Sequence, residues 1–320
     1  MLRLGGFIGL FLWLIAGQPE TQAATRKAGS TKKSTAPTAA KTAKSSSIAR
    51  DPYVGAIVVD AASGKVLFED KADAKGYPAS VLKLMDLLII LERIERRQFT
   101  LQDPVTVSAK AAKTGGSQVW LAEKEVFTMD ELLYALMVQS ANDAAVALAE
   151  KVAGTTEGFV DLMNQRAQEL GMTSTVFRSV HGLPPATGQE HDTTTARDFS
   201  ILCRELLKHQ DTLRYTSTRE RPFRPKKPVI MRTHNHLLGH VEGCDGLKTG
   251  YIKAAGYSIA VTAARNGQRV IAVVLGSVDR KGRDAQAAEL LAKGFLALPA
   301  ASVAGAQPSP AAKARAVPKK

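Results

Sequence analysis

From residue 81 to residue 91 the chain is apolar nearly all round, and no other stretch restricts its fold so strongly. Pro78 stands just ahead, and Leu82, Leu84, Met85, Leu87, Leu88 and Leu91 favour helix, so a helix is predicted to start near Ser80. A helix without a polar face belongs at the centre of a domain, with other elements packed around it. Lys83 lies inside this run, although lysine is almost never fully buried without a partner. Desolvation lowers the pKa of such an amine toward neutrality, where it can accept a proton. Ser80 precedes Lys83 by three residues and so shares its helix face one turn away. The stretch pairs a candidate nucleophile with a candidate base, and the first-turn N–H groups point at any anion forming there.

The flanking sequence supplies the layers such a helix needs. Residues 54–59 have the composition of a buried strand and are followed by a turn at 62–65 and a second short strand at 66–68, which read as a hairpin. After the central helix come Val105, Thr106 and Val107, then a polar loop around residues 114–118. Thr128 opens the next helix, with Glu131 completing a capping box and Leu132, Leu133, Leu136 and Met137 on the apolar side. That helix runs into residues 139–143. Further helices are predicted at 144–152, ending at Gly154, and at 159–170 and 195–208, the last two flanking a loop at 181–185. The C-terminal part is strand-rich, with strands at 246–251, 257–263 and 269–275 and a hairpin turn at Asn266-Gly267, before a last amphipathic helix at 284–296. Strands at both ends with helices between them predict an α+β fold. It comprises an antiparallel sheet built from N- and C-terminal segments, flanked by helices, with a helical insert.

A net charge of +13 suggests nucleic acid until the charge is located. Arg26, Lys27, Lys32, Lys33, Lys41, Lys44 and Arg50 crowd residues 24–50 without an acid, and Lys313, Arg315, Lys319 and Lys320 fill the tail. Residues 51–299 are left nearly neutral, and no nucleic-acid partner is expected. Both arms are rich in Ala and Lys and too poor in large apolar groups to form a core. They read as solvated tethers, or as segments drawn loosely to anionic polymers of the cell surface or wall, or to anionic lipid. Arg3, the apolar stretch 4–16 and the small residues at 21–24 have the form of an export signal, too short for a membrane span. The expected organisation is a signal peptide at 1–23, a basic low-complexity linker at 24–50, one folded catalytic domain at 51–297 and a basic Pro/Ala-rich tail at 298–320, exported to the periplasm or cell envelope. Cys203 and Cys244 are the only cysteines, and the sequence leaves open whether they pair. His234, His236 and His240 lack a Cys or carboxylate at fitting spacing and read as a polar loop; no metal or cofactor is expected.

Three elements fall in order along the chain: Ser80-x-x-Lys83 at a helix start, Ser140-x-Asn142 between two helices, and Lys248-Thr249-Gly250 at a strand. Each is weak alone, since Ser-x-x-Lys recurs at Ser30 and Lys33, and Lys-Thr-Gly at residues 113–115. All three in this order, each in the secondary structure its chemistry needs, resemble the penicillin-recognising serine enzymes. The likeness extends through residues 78–85, 115–118, 136–144, 181–183, 195–198, 235–238 and 245–257. The chain is similar to the low-molecular-mass penicillin-binding proteins, the D-alanyl-D-alanine carboxypeptidases, whose fold is that of the transpeptidases and β-lactamases.

The resemblance implies that Ser80 attacks the carbonyl between two terminal D-alanines of a peptidoglycan peptide, and that β-lactams acylate the same serine. It implies Lys83 as the base, Ser140 as a proton relay, and Asn142 as a holder of the substrate amide. Lys248 and Thr249 would orient the terminal carboxylate, with the N–H groups of Ser80 and Tyr251 as the oxyanion hole and Arg283 as a further carboxylate ligand. Gly250 would let an extended peptide lie close to the strand. Leu82 and Asp86 stand where many relatives carry Thr, and Ile252 where Thr often follows. No Glu-x-x-Leu-Asn stretch lies between Asn142 and Lys248, which argues against a β-lactamase. An endopeptidase of the same fold, cutting peptide cross-links, fits the same motifs. A non-catalytic wall-binding relic does not, because nucleophile, base and carboxylate receptor are all present.

Overall fold

The computed structural model describes residues 47–226 and 228–299; the expected signal peptide, residues 24–46 of the linker and residues 300–320 of the tail lie outside the described residues. In chain order the elements are β1 (Gly55–Asp60), β2 (Val66–Asp70), α1 (Lys83–Glu95), β3 (Pro104–Thr106), α2 (Ala109–Lys113), β4 (Val126–Thr128) and α3 (Met129–Tyr134). There follow α4 (Asn142–Ala153), α5 (Thr156–Glu169), α6 (Ala196–Leu206), α7 (Thr212–Thr216), β5 (Glu220–Phe223), β6 (Val229–Arg232), β7 (Cys244–Ile252), β8 (Gly256–Arg265), β9 (Gln268–Ser277) and α8 (Arg280–Ala297). A five-stranded sheet in the order β2-β1-β9-β8-β7 is antiparallel throughout, so the predicted assembly from both ends of the chain is the one found.

Strand alternation divides the core in two. On β1 and β9, Ile57, Val59, Ile271, Val273 and Leu275 join the cluster containing α1, α4 and α6, whereas Ala56, Val58, Val270, Ala272 and Val274 pack with Ala287, Leu290 and Leu291 of α8. Helices thus cover both faces, which explains why these strands read as continuous apolar runs. Helix α1 occupies the centre of the larger cluster, and every residue from Lys83 to Leu91 is buried. The β8–β9 turn has Asn266 and Gly267 at φ of 50° and 77°, the paired positive angles of a tight hairpin. The capping box at Thr128 forms as read, with Glu131 N–H donating to Thr128 Oγ1 and Thr128 N–H to the Glu131 carboxylate.

Three local departures matter. The central helix does not begin at Ser80: a turn of 3₁₀ helix, Ala79–Leu82, precedes α1, and Ala79 holds φ at 47°. The helix opened by Thr128 widens into a π-turn, Ala135–Gln139, and stops at Ser140, whose φ of 60° breaks the chain direction before α4. Third, the β3–β4 and β5–β6 pairs were not foreseen, because strands of three or four residues are too short to show a period. Cys203 and Cys244 are free thiols in α6 and β7. Among the described residues no helix is long and apolar enough to cross a membrane.

Candidate active site

Ser80 is presented by a turn clasped between two glycines from distant segments. A Cβ on Gly182 would overlap the Ala79 carbonyl, and a Cβ on Gly250 would stand 2.6 Å from the Pro78 oxygen and 3.0 Å from the Ser80 nitrogen. Gly250 therefore serves first the packing of β7 on the turn that carries Ser80, a nearer constraint than the peptide approach expected from sequence. Strand β7 is an edge of the sheet, so one side of its backbone is open to an added strand.

Behind Ser80, Lys83 is fully buried and donates from Nζ to Ser80 Oγ at 3.1 Å, to Asn142 Oδ1 at 2.8 Å and to the His181 carbonyl at 2.9 Å. Burial pushes this amine down to about 8, while the Asp86, Asp192 and Asp143 carboxylates oppose the fall. Lys248 is buried on β7, and its Nζ donates to the Thr249 carbonyl at 2.9 Å. Burial, then the cations of Lys83 and Arg283, hold it well below the usual lysine range.

A cleft of about 320 Å³ is lined by Ser80, Ser140, Asn142, Thr249, Tyr251 and Arg283, with Gly250 in its wall. The break after the π-turn brings Ser140 and Asn142 to this cleft from one short segment. Asn142 is more constrained than the resemblance implied: its carbonyl serves Lys83 and its amide donates to the Gly115 carbonyl at 2.8 Å. Tyr251 is half exposed and stacks on Tyr257 with ring centroids 4.2 Å apart, at the mouth. Arg283 is buried, not solvated, and its Nε and Nη2 donate to Asp284 Oδ1 at 2.9 and 2.6 Å. His234 and His236 line the same cleft from the loop before β7, so two of the three histidines border it.

Several contributors were missed. Asp192 accepts from the N–H groups of Arg178 and Ser179 and from Ser179 Oγ, and Ser179 Oγ accepts from Gly182 N–H at 2.9 Å. That chain of bonds holds Gly182 against the Ser80 turn. Asp143 accepts from Val119, Leu121 and Ala144 N–H groups, fixing the loop that brings Gly116 and Ser117 to the cleft. Neither acid stands in a periodic pattern, and only its place beside Asn142 could have marked Asp143. A larger cavity, about 690 Å³, lies behind residues 181–185 but is not lined by Ser80, Ser140 or Thr249. Chemically, the cleft offers a hydroxyl hydrogen-bonded to a desolvated amine, beside a strand edge and a buried cation.

The profile of a family described as D-alanyl-D-alanine carboxypeptidase matches residues 39–279. The chain is 36% identical over 239 residues to the D-alanyl-D-alanine carboxypeptidase DacF of Bacillus subtilis, covering 74% of this chain. It is 38% identical over 246 residues to DacC of Escherichia coli, covering 75% of this chain. In each case the match spans 60% of the relative's length. Among solved structures it resembles penicillin-binding protein D2 of Listeria monocytogenes in its ampicillin-bound form, at 30% identity and a TM-score of 0.69, covering 76% of this chain and 98% of that one. Motif order, sheet topology and sequence identity agree, and the chain belongs to the D-alanyl-D-alanine carboxypeptidase family of low-molecular-mass penicillin-binding proteins.

Proposed function

We propose that the chain is a serine-type D-Ala-D-Ala carboxypeptidase that trims peptidoglycan stem peptides through an acyl-enzyme on Ser80, and that β-lactams acylate the same residue. The observation that carries this is the 3.1 Å contact between Ser80 Oγ and a buried Lys83 amine brought down to about 8. The neutral amine takes the Ser80 proton as Oγ bonds to the carbonyl carbon of the penultimate D-alanine. The C–N bond to the terminal D-alanine then breaks, and the proton reaches the leaving amine through Ser140. Water hydrolyses the resulting ester, which restores the Ser80 hydroxyl and leaves a new terminal carboxylate. Lys248 and Thr249 receive the substrate carboxylate from the strand edge, aided by Arg283. The N–H groups of Ser80 and Tyr251 face the oxyanion. Ampicillin bound to the Listeria relative supports a cleft of this shape for penicillins. The signal-like N-terminus supports a reaction in the cell envelope, with the basic arms as solvated tethers or as segments drawn loosely to anionic wall polymers or lipid.

Incubating the protein with a peptide ending in D-Ala-D-Ala tests the reading directly. Free D-alanine is expected, together with a covalent penicillin adduct that is released slowly. Cleavage of a cross-linked dimer with no release from the free pentapeptide would replace it with the endopeptidase reading.

A further inference from the structure

Trp120 is 63% exposed and holds φ at 55°, a left-handed angle that a bulky aromatic residue rarely adopts. Its surroundings enforce that conformation. On one side the buried Asp143 carboxylate accepts from Val119 N–H at 3.2 Å and from Leu121 N–H at 3.0 Å. On the other, Arg224 donates from Nη1 to the Val119 carbonyl at 2.7 Å and from Nη2 to the Trp120 carbonyl at 2.9 Å, while Glu125 holds Arg224 through Nη2 at 2.6 Å. Val119 and Leu121 are buried on either side. The backbone is pinned at both flanking peptides, and the indole is the part left in water. Strain maintained by this many contacts points to a use for the exposed group.

Position supplies the use. Ser117 lines the cleft, and three residues bridge at most about 10 Å, so the Trp120 backbone lies within that distance of a cleft residue. The anchoring acid, Asp143, directly follows Asn142, which binds Lys83. Platform and reaction centre share one rigid reference, the start of α4. A substrate whose reactive end enters the cleft must continue past its mouth. Beyond the peptide, the proposed substrate is a sugar polymer, and a hexopyranose offers a flat C–H face edged by hydroxyls. A rigid indole offers a flat apolar face with an N–H donor at its rim. The neighbours Glu123, Lys124 and Glu125 are charged, which suits a hydroxyl-rich ligand better than a protein surface, where a contiguous apolar patch is the rule.

We propose that Trp120 is a sugar-stacking platform on which the glycan strand bearing the substrate peptide rests. The choice of polymer rests on the proposed carboxypeptidase function, and binding to the indole is measured separately from turnover. Trp13 and Trp120 are the only tryptophans, so a Trp13→Phe variant of the full chain reports Trp120 alone by fluorescence. Titration with N-acetylglucosamine oligomers, and with glycan strands stripped of peptide, should give a saturable change that persists in ~0.5 M salt, because no ion pair is broken. In the otherwise unaltered chain, Trp120→Gly suits the left-handed backbone and should fold at least as well as the parent. It should lose at least fivefold in retention on insoluble peptidoglycan while releasing D-alanine from a free peptide within twofold of the parent rate; Trp120→Phe should fall between. No saturable change with either sugar, or a response only to anionic lipid vesicles, overturns the platform. A sugar response without D-alanine release would instead overturn the carboxypeptidase reading and leave the platform standing.

Discussion

Replacing Asp86 with Thr should move the pH at which Ser80 is acylated. Asp86 follows Lys83 by one helical turn, is 2% exposed, and its two oxygens accept no hydrogen bond among the described residues. Burial drives its carboxyl well above the usual range, Lys83 opposes that rise, and Asp192 adds to it. Where it is ionised, that carboxylate favours the Lys83 ammonium over the amine, and Asp86 leads the influences that hold Lys83 up against its own burial. The sign follows from the base's role: Lys83 must be neutral to take the Ser80 proton, so acylation is lost as pH falls below about 8. At pH 7 roughly a tenth of the molecules then carry a competent base, and the rate climbs about tenfold per pH unit up to that point. A neighbouring opposite charge moves a pKa by about one to three. With Asp86 gone, the acid limb should shift down by up to about one pH unit over the range in which Asp86 is ionised. Thr fills a similar volume and removes a buried acceptor left without a partner, worth about 1–3 kcal/mol, so stability should hold or rise. Timed labelling with a fluorescent penicillin between pH 5 and 10 reads the limb. An unmoved limb, or one shifted upward, refutes the reasoning.

Ser80→Ala should abolish penicillin labelling with the melting temperature unchanged, since it removes one half-buried hydroxyl; an adduct on this variant would show that the nucleophile lies elsewhere. Gly250→Ala should cost about 1–3 kcal/mol and most of the labelling, because the new methyl meets backbone at Pro78 and Ser80 that no rotamer can relieve; full labelling would mean that β7 and the Ser80 turn are not in contact. Thr128→Ala should lose about 1 kcal/mol in a denaturant titration through the lost capping box, with acylation unaffected.

Where residues repeat with a clear period, the fold was readable. The nearly all-apolar helix at 81–91, the continuous strands of β1 and β9 and the Asn-Gly turn declare themselves by composition alone. The placing of Ser80, Lys83 and the Lys248 strand about one cleft followed from motif order once each lay on a suitable element. What escaped depends on the backbone leaving regular structure: the 3₁₀ entry at Ala79, the π-turn before Ser140 and the left-handed Trp120. Such kinks are set by contacts from remote segments, here Gly182, Gly250, Asp143 and Arg224, and no local pattern announces them. The commitment of Asn142 to Lys83 and Gly115, and of Arg283 to Asp284, lay equally beyond sequence, because a side chain's partners are chosen by the assembled packing.

The clasp of Gly182 and Gly250 around the serine turn has a consequence for how the protein is made. One jaw comes from a mid-chain loop and the other from a strand near the end of the fold, so the reactive geometry needs nearly the whole polypeptide. On the proposed function, a chain whose final strands have yet to dock would hold Ser80 as an ordinary hydroxyl, inert toward peptides or antibiotics.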